Sequence, residues 1–264
     1  MKRIMTLLLT AALLLTSFPV LAAKSKATPT PAPVEIEQEV IEEVPEKIQE
    51  LLDLAYAQLT EVNGKELKEK NQYTKWRNNY SYGWCGGFIT WCMLQLDIPQ
   101  NVWNKTPKEE VSGIVHVKEA GVGKLVTGYM RMNRTTMIPQ KGFIIVYGSR
   151  DKKYGGNTPL YHVGLVWDVQ RLENGKYRLK TIEGNVNLRF TDPDGKGHKA
   201  SHTIRMFVRD YDPEAEKKDN LSLVPEEERD EPETVQLSYD YTYGNESMYV
   251  HLFLMPWVPG DESL

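Results

Sequence analysis

Tyr82-Gly83-Trp84-Cys85-Gly86-Gly87-Phe88-Ile89-Thr90-Trp91-Cys92 is the stretch on which the reading of this chain turns. A glycine-bounded turn runs into an apolar segment of helical character, which continues to Leu96 and stops before Pro99. A thiol at the start of a helix sits at the positive end of the macrodipole, which favours the thiolate. Cys85 is therefore a candidate nucleophile. Cys92, flanked by Trp91, Met93 and Leu94, reads as a buried apolar cysteine. On one helix the two thiols stand about 10 Å apart along the axis. A disulfide spans Cα atoms within roughly 7 Å, so both cysteines are expected free.

Outward from this stretch, the N-terminal side is helical. Ile48, Leu51, Leu52, Ala55, Tyr56 and Leu59 recur at helical spacing over 46–62, after Pro45. Asn71-Gln72-Tyr73-Thr74-Lys75-Trp76 reads as a polar-aromatic loop leading toward Cys85. Short helices are expected around Lys108–Val115 and Lys124–Met130. Strands then dominate: Phe143–Tyr147 after a Pro-Gln-Lys-Gly turn, His162–Gln170, Lys176–Asn185 and Thr203–Val208. A helical half followed by an antiparallel sheet fits an α+β domain. Asp210–Thr234 reads as an acidic linker. Val235–Tyr241 and Met248–Met255 alternate around Gly244-Asn245 and form a second hairpin candidate. A lone hairpin is marginal in water, so this one is expected to dock on the main domain or on a protein partner.

The Asn174-Gly175 turn permits a register test. With a two-residue turn, His162 would stand opposite Asn187, and alternation puts His162, Glu183, Asn185 and Asn187 on one face. A group that orients a histidine must share its face. In the simple register Asn185 is the diagonal neighbour, and a bulge or a longer loop would bring Glu183 closer. The register alone leaves both open.

Four segments taken in order resemble the CHAP domain (cysteine, histidine-dependent amidohydrolase/peptidase), a member of the papain-like clan. They are Tyr73-Thr74-Lys75-Trp76, Trp84 to Cys92, Tyr161-His162-Val163-Gly164 and Ile182-Glu183-Gly184-Asn185. The resemblance covers about residues 46–210. It implies a papain-like α+β fold, with N-terminal helices packed on an antiparallel sheet and the nucleophile at a helix N-terminus. It implies amide hydrolysis in peptidoglycan, by an amidase or a peptide endopeptidase. Cys85 would be the nucleophile, His162 the base, Glu183 the orienter and Asn185 a supporting polar residue. Trp84 and Tyr161 flank the nucleophile and base, and would either line a substrate groove or pack. Two departures stand out. Gly142-Phe143 occupies the place of a common Gly-Asp, and Gly86-Gly87 that of a commoner alanine pair.

Met1 to Ala22 reads as a signal peptide: Lys2 and Arg3, an apolar run from Leu7 to Phe18, then Val20-Leu21-Ala22. Residues 23–45 read as a Pro-rich, then acidic, spacer. The expectation is an exported, wall-associated protein with no membrane span. Net charge is −4, but residues 51–209 carry 24 Lys and Arg against 14 Asp and Glu. A basic body between acidic flanks suits peptidoglycan or an anionic wall polymer rather than nucleic acid. No cofactor or metal is expected. His198 and His202 would be ligand-spaced on a helix, and Asp192-Pro193-Asp194-Gly195 only faintly resembles a calcium loop. Two other classes stay open: a catalytically silent module binding wall or protein, and a thiol acyltransferase or protease with a non-wall substrate.

Overall fold

The computed structural model describes residues 40–78, 83–105, 111–150, 160–191, 194–229, 238–240 and 247–261. The expected signal peptide, the spacer as far as residue 39, Asp192-Pro193 and the Gly244-Asn245 turn lie outside the described residues.

Helix α1 (Glu46–Val62) follows Pro45 and buries Ile48, Leu51, Leu52, Ala55 and Leu59, the stripe that its spacing predicts. Asn63 closes it in the left-handed conformation, with its N–H on the Leu59 carbonyl. The polar-aromatic loop contains one helical turn, α2 (Gln72–Lys75). Its start is fixed by Asn71 Oδ1, which accepts from Tyr73 N–H at 2.9 Å, and by the Thr74 hydroxyl, which accepts from Asn71 N–H at 3.1 Å. Helix α3 (Cys85–Gln95) begins at Cys85 and is buried along most of its length.

Beyond α3, the short strands β1 (Gln100–Asn101) and β2 (His116–Val117) pair in parallel, and α4 (Val122–Arg131) follows. No helix forms over 111–115, the described part of the segment expected to be helical around Lys108–Val115. Buried His116 bonds the Thr90 hydroxyl at 2.8 Å and the Tyr129 hydroxyl at 2.9 Å. Burial pushes its pKa down to about 3, so it is a neutral core imidazole.

The sheet comprises β3 (Thr135–Thr136), β4 (Ile144–Ser149), β5 (Leu160–Arg171), β6 (Tyr177–Thr191), β7 (Gly197–Tyr211), β8 (Leu221–Leu223), β9 (Ser238–Tyr239) and β10 (Met248–Leu254). Its order is β3-β10-β4-β5-β6-β7-β8, with β9 beside β6 and every pairing antiparallel. The class is α+β, as expected.

The C-terminal expectations change. β9 and β10 do not pair with each other: β9 lies on β6, and β10 inserts between β3 and β4. Burial of Val250, Phe253 and Leu254 against the core outweighs a local turn. The segment expected as an acidic linker also joins the fold, because β8 pairs with β7. The Asn220 side chain donates to Val250 O at 3.0 Å and accepts from Val250 N–H at 2.9 Å, which ties the β8 edge back to β10. The domain therefore does not end at residue 210. Phe143 packs edge-on against Trp257 from this returning segment, with ring centroids 5.6 Å apart. Buried Arg134 donates to the carbonyls of Val111, Gly113 and Pro256, which clamps the segment after β10 to the loop before β2.

Candidate active site

The β5–β6 hairpin brings Glu183 toward His162. Its loop is Leu172–Lys176 rather than two residues, because Arg171 pairs with Tyr177. Leu172 N–H donates to Lys176 O, and Gly175 N–H to Leu172 O. A bulge then follows at Trp167, between the pairs Val166–Thr181 and Asp168–Lys180. Together they slide Glu183 toward His162 relative to the simple register. Glu183 lies over Gly164, where an added Cβ would stand 2.7 Å from Glu183 Cγ. The absent side chain at Gly164 is what lets the carboxylate reach across.

His162 Nε2 stands 3.1 Å from Glu183 Oε2. An ionised carboxylate only accepts, so Nε2 carries a proton and Nδ1 is left for the thiol. Cys85 and His162 are in hydrogen-bonding reach of each other, and the backbone N–H groups of Gly86 and Val163 also act on the sulfur. The first α3 bond runs from Phe88 N–H to Trp84 O. The N–H groups of Cys85, Gly86 and Gly87 thus have no acceptor within the helix.

Burial opposes ionisation of Cys85, but the hydrogen bond and charge of His162 outweigh it, and the thiol's pKa falls below its ordinary value. Burial likewise works against a charged His162, yet Cys85 and Glu183 raise its pKa to about 9. For Glu183, burial is overcome by the Arg209 charge and by His162, and its pKa drops to about 2. All three shifts run toward the charged forms: thiolate, imidazolium and carboxylate.

Helix and sheet approach closely here. A Cβ on Gly184 would meet Phe88 Cβ at 2.7 Å and Trp84 Cζ3 at 2.8 Å, and one on Gly86 would meet the Ala120 carbonyl oxygen at 2.5 Å. A Cβ on Gly87 would meet Tyr73 O at 2.9 Å. The Gly86-Gly87 pair thus fits a helix start pressed against neighbouring backbone. Tyr73 stacks on Trp84 at 5.2 Å and meets Phe88 edge-on. Trp84 is only 1% exposed, so it supports α3 from below and does not wall a groove. Tyr161, beside His162, is 39% exposed.

Asn185 is not brought to His162. It is a bulge residue with φ 63°, and its Oδ1 accepts from His202 Nδ1 at 2.8 Å. His202 faces it with φ 56°. His198 stacks on Phe190, and both histidines lie on a strand, where ligand spacing four apart does not apply. Among the described residues, no three His, Cys, Asp or Glu side chains converge to hold a metal.

Three partners of Glu183 were not found from sequence. Oε1 accepts from the Tyr147 hydroxyl at 2.7 Å, the Thr181 hydroxyl at 2.7 Å and Arg209 Nη1 at 2.6 Å. Strand alternation could have put Thr181 on the face of Glu183. A charged residue near a strand end gives no such signal, since it ordinarily reads as solvent-facing.

Compared with protein-family models, with curated proteins and with solved structures, the chain matches none.

Proposed function

We propose that this protein is an exported cysteine hydrolase that cleaves amide bonds in bacterial peptidoglycan, on a papain-like fold of the CHAP type. The observation that carries the reading is the row Cys85–His162–Glu183. A thiol stands at a helix start, an imidazole is within its reach, and a buried carboxylate holds the far ring nitrogen. No structural need explains a charged row inside an apolar core, because buried ion pairs are poor stabilisers. Perturbed ionisable groups of this kind gather where chemistry is done.

In this reading the Cys85 thiolate attacks the carbonyl carbon of an amide. The C–N bond breaks after His162 Nδ1 delivers its proton to the leaving nitrogen, and an acyl thioester remains on Sγ. The oxyanion formed on the way is met by N–H groups at the start of α3. Water then gives a proton to His162, its oxygen attacks the thioester, and the carboxylic acid leaves. Glu183 keeps the imidazole in the required tautomer throughout. Tyr161 is the exposed aromatic best situated to touch the substrate.

The test is mass spectrometry of purified peptidoglycan after incubation with the mature protein, beside Cys85→Ala, under reducing conditions. New termini produced only by the native protein support the reading and identify the bond. Products from Cys85→Ala would sink it. Saturable binding without products would favour a silent binding module, and transfer to an added amine would favour an acyltransferase.

A further inference from the structure

Arg209 is the fixed charge behind the candidate site. Glu183 is 1% exposed, and a carboxyl group cut off from water ordinarily takes up a proton. The groups that face it come from four strands and one helix. β5 supplies His162, β4 the Tyr147 hydroxyl and β6 the Thr181 hydroxyl, while β7 supplies Arg209 and α3 sets Cys85 beyond His162. Arg205 stands opposite Glu183 in the β6–β7 register and is also buried, but the direct β7 contact to the carboxylate is that of Arg209. Tyr147 and Thr181 are neutral, and the charge of His162 is the quantity under control. Among the described residues in direct contact, Arg209 is the one whose charge pH does not remove.

The direction of the hydrogen bonds leads to the same end. Guanidinium only donates. Arg209 Nη1 lies 2.9 Å from the Tyr147 oxygen and 3.2 Å from the Thr181 oxygen, and both hydroxyls accept from it, with its two N–H groups shared among these oxygens and Glu183 Oε1. Each then has its own proton left for Glu183 Oε1. Three donors converge on that oxygen, and His162 Nε2–H meets the other. A proton on Oε1 would point into a ring of donors, so the anion is the form that fits. Arg209 is itself immobilised, 2% exposed, with the Phe207 ring centroid 4.2 Å and the Tyr147 ring centroid 5.2 Å from its guanidinium carbon.

We propose that Arg209 is a positioning residue of this site: it holds Glu183 as a carboxylate and, through Glu183 and His162, sets the ionisation of the Cys85 thiol. The proposal rests on Cys85 being the nucleophile, and it can be tested without any substrate. The readout is the rate of Cys85 alkylation by iodoacetamide as a function of pH, followed by intact mass on the full mature chain.

Arg209→Met should raise the apparent thiolate pKa by about one unit or more, a tenfold loss of reactive thiolate below it. Arg209→Lys, which restores the charge, should recover most of the native profile. Glu183→Gln should shift the profile in the same direction, and Glu183→Gln/Arg209→Met should coincide with Glu183→Gln alone, because Arg209 acts only through the carboxylate. A native-like profile for Arg209→Met would overturn the proposal. So would a further shift on removing Arg209 from the Glu183→Gln background. If Arg209→Met fails to fold, the comparison of Glu183→Gln with the charge-neutral double variant still decides. Alkylation shifts as stated with no wall cleavage would leave this proposal standing and remove only the peptidoglycan substrate.

Discussion

Gly184→Ala is the substitution by which the packing argument stands or falls. Gly184 follows Glu183 in β6 and lies against the first turn of α3. An added Cβ would be 2.7 Å from Phe88 Cβ and 2.8 Å from Trp84 Cζ3. Relief to ordinary contact requires α3 and β6 to part by about 0.7 Å. Neither neighbour gives way easily, because Phe88 and Trp84 are both buried against Tyr73. Overpacking of this kind costs about 1–3 kcal/mol. The same retreat carries Cys85 away from His162, and a misplacement of about 1 Å between reacting groups costs on the order of a hundredfold in rate. The assay pairs urea denaturation with the iodoacetamide rate of Cys85 at neutral pH. Gly197→Ala is the control, since a Cβ there meets nothing within 4 Å. A Gly184→Ala protein with native stability and native Cys85 reactivity would refute the claim that this glycine sets the helix–sheet distance at the thiol.

Other outcomes follow from the same geometry. Native protein exposed to iodoacetamide should be labelled at Cys85 and not at Cys92, whose thiol burial pushes far above its ordinary pKa; peptide mapping with and without denaturant checks this. On the proposed hydrolysis, Glu183→Gln should lower turnover on the order of a hundredfold or more, whereas Asn185→Ala should cost much less, because Asn185 bonds His202 and not His162; initial rates on solubilised wall fragments compare them. Two of the site's ionisations also shape stability with pH. His162 is raised to about 9, so its contribution is complete below 6.5 and disappears as pH rises through about 9. Glu183 is lowered to about 2, so its contribution is present above 4.5 and disappears as pH falls through about 2. Denaturant midpoints across pH should fall on both sides, and Glu183→Gln should remove the acid-side fall that Glu183 causes. Deletion of residues 241–264 should abolish soluble folded protein, as judged by circular dichroism and limited proteolysis, because β10 lies between β3 and β4.

Much of this chain is legible without coordinates. The periodicity of Ile48, Leu51, Leu52, Ala55 and Leu59 determined α1, and the passage from glycine turn to apolar run determined that a helix starts at Cys85. Short-range pattern suffices there, because helix periodicity and caps are local. The strand character around His162 and Glu183 was readable for the same reason. What the sequence left open depended on distant parts of the chain. The choice between Glu183 and Asn185 took a longer loop and a bulge at Trp167, which bring Glu183 toward His162, and a second bulge at Asn185, which turns that side chain to His202; alternation alone encodes none of these. The place of β10 was decided by the edges that β3 and β4 leave for it, and an apparent hairpin gave way to that burial. Arg209 reached Glu183 only because the β7 strand carries it beneath Tyr147 and Thr181. A buried charge has no sequence signature of its own; the partner that makes its burial tolerable is found only when the strands are assembled.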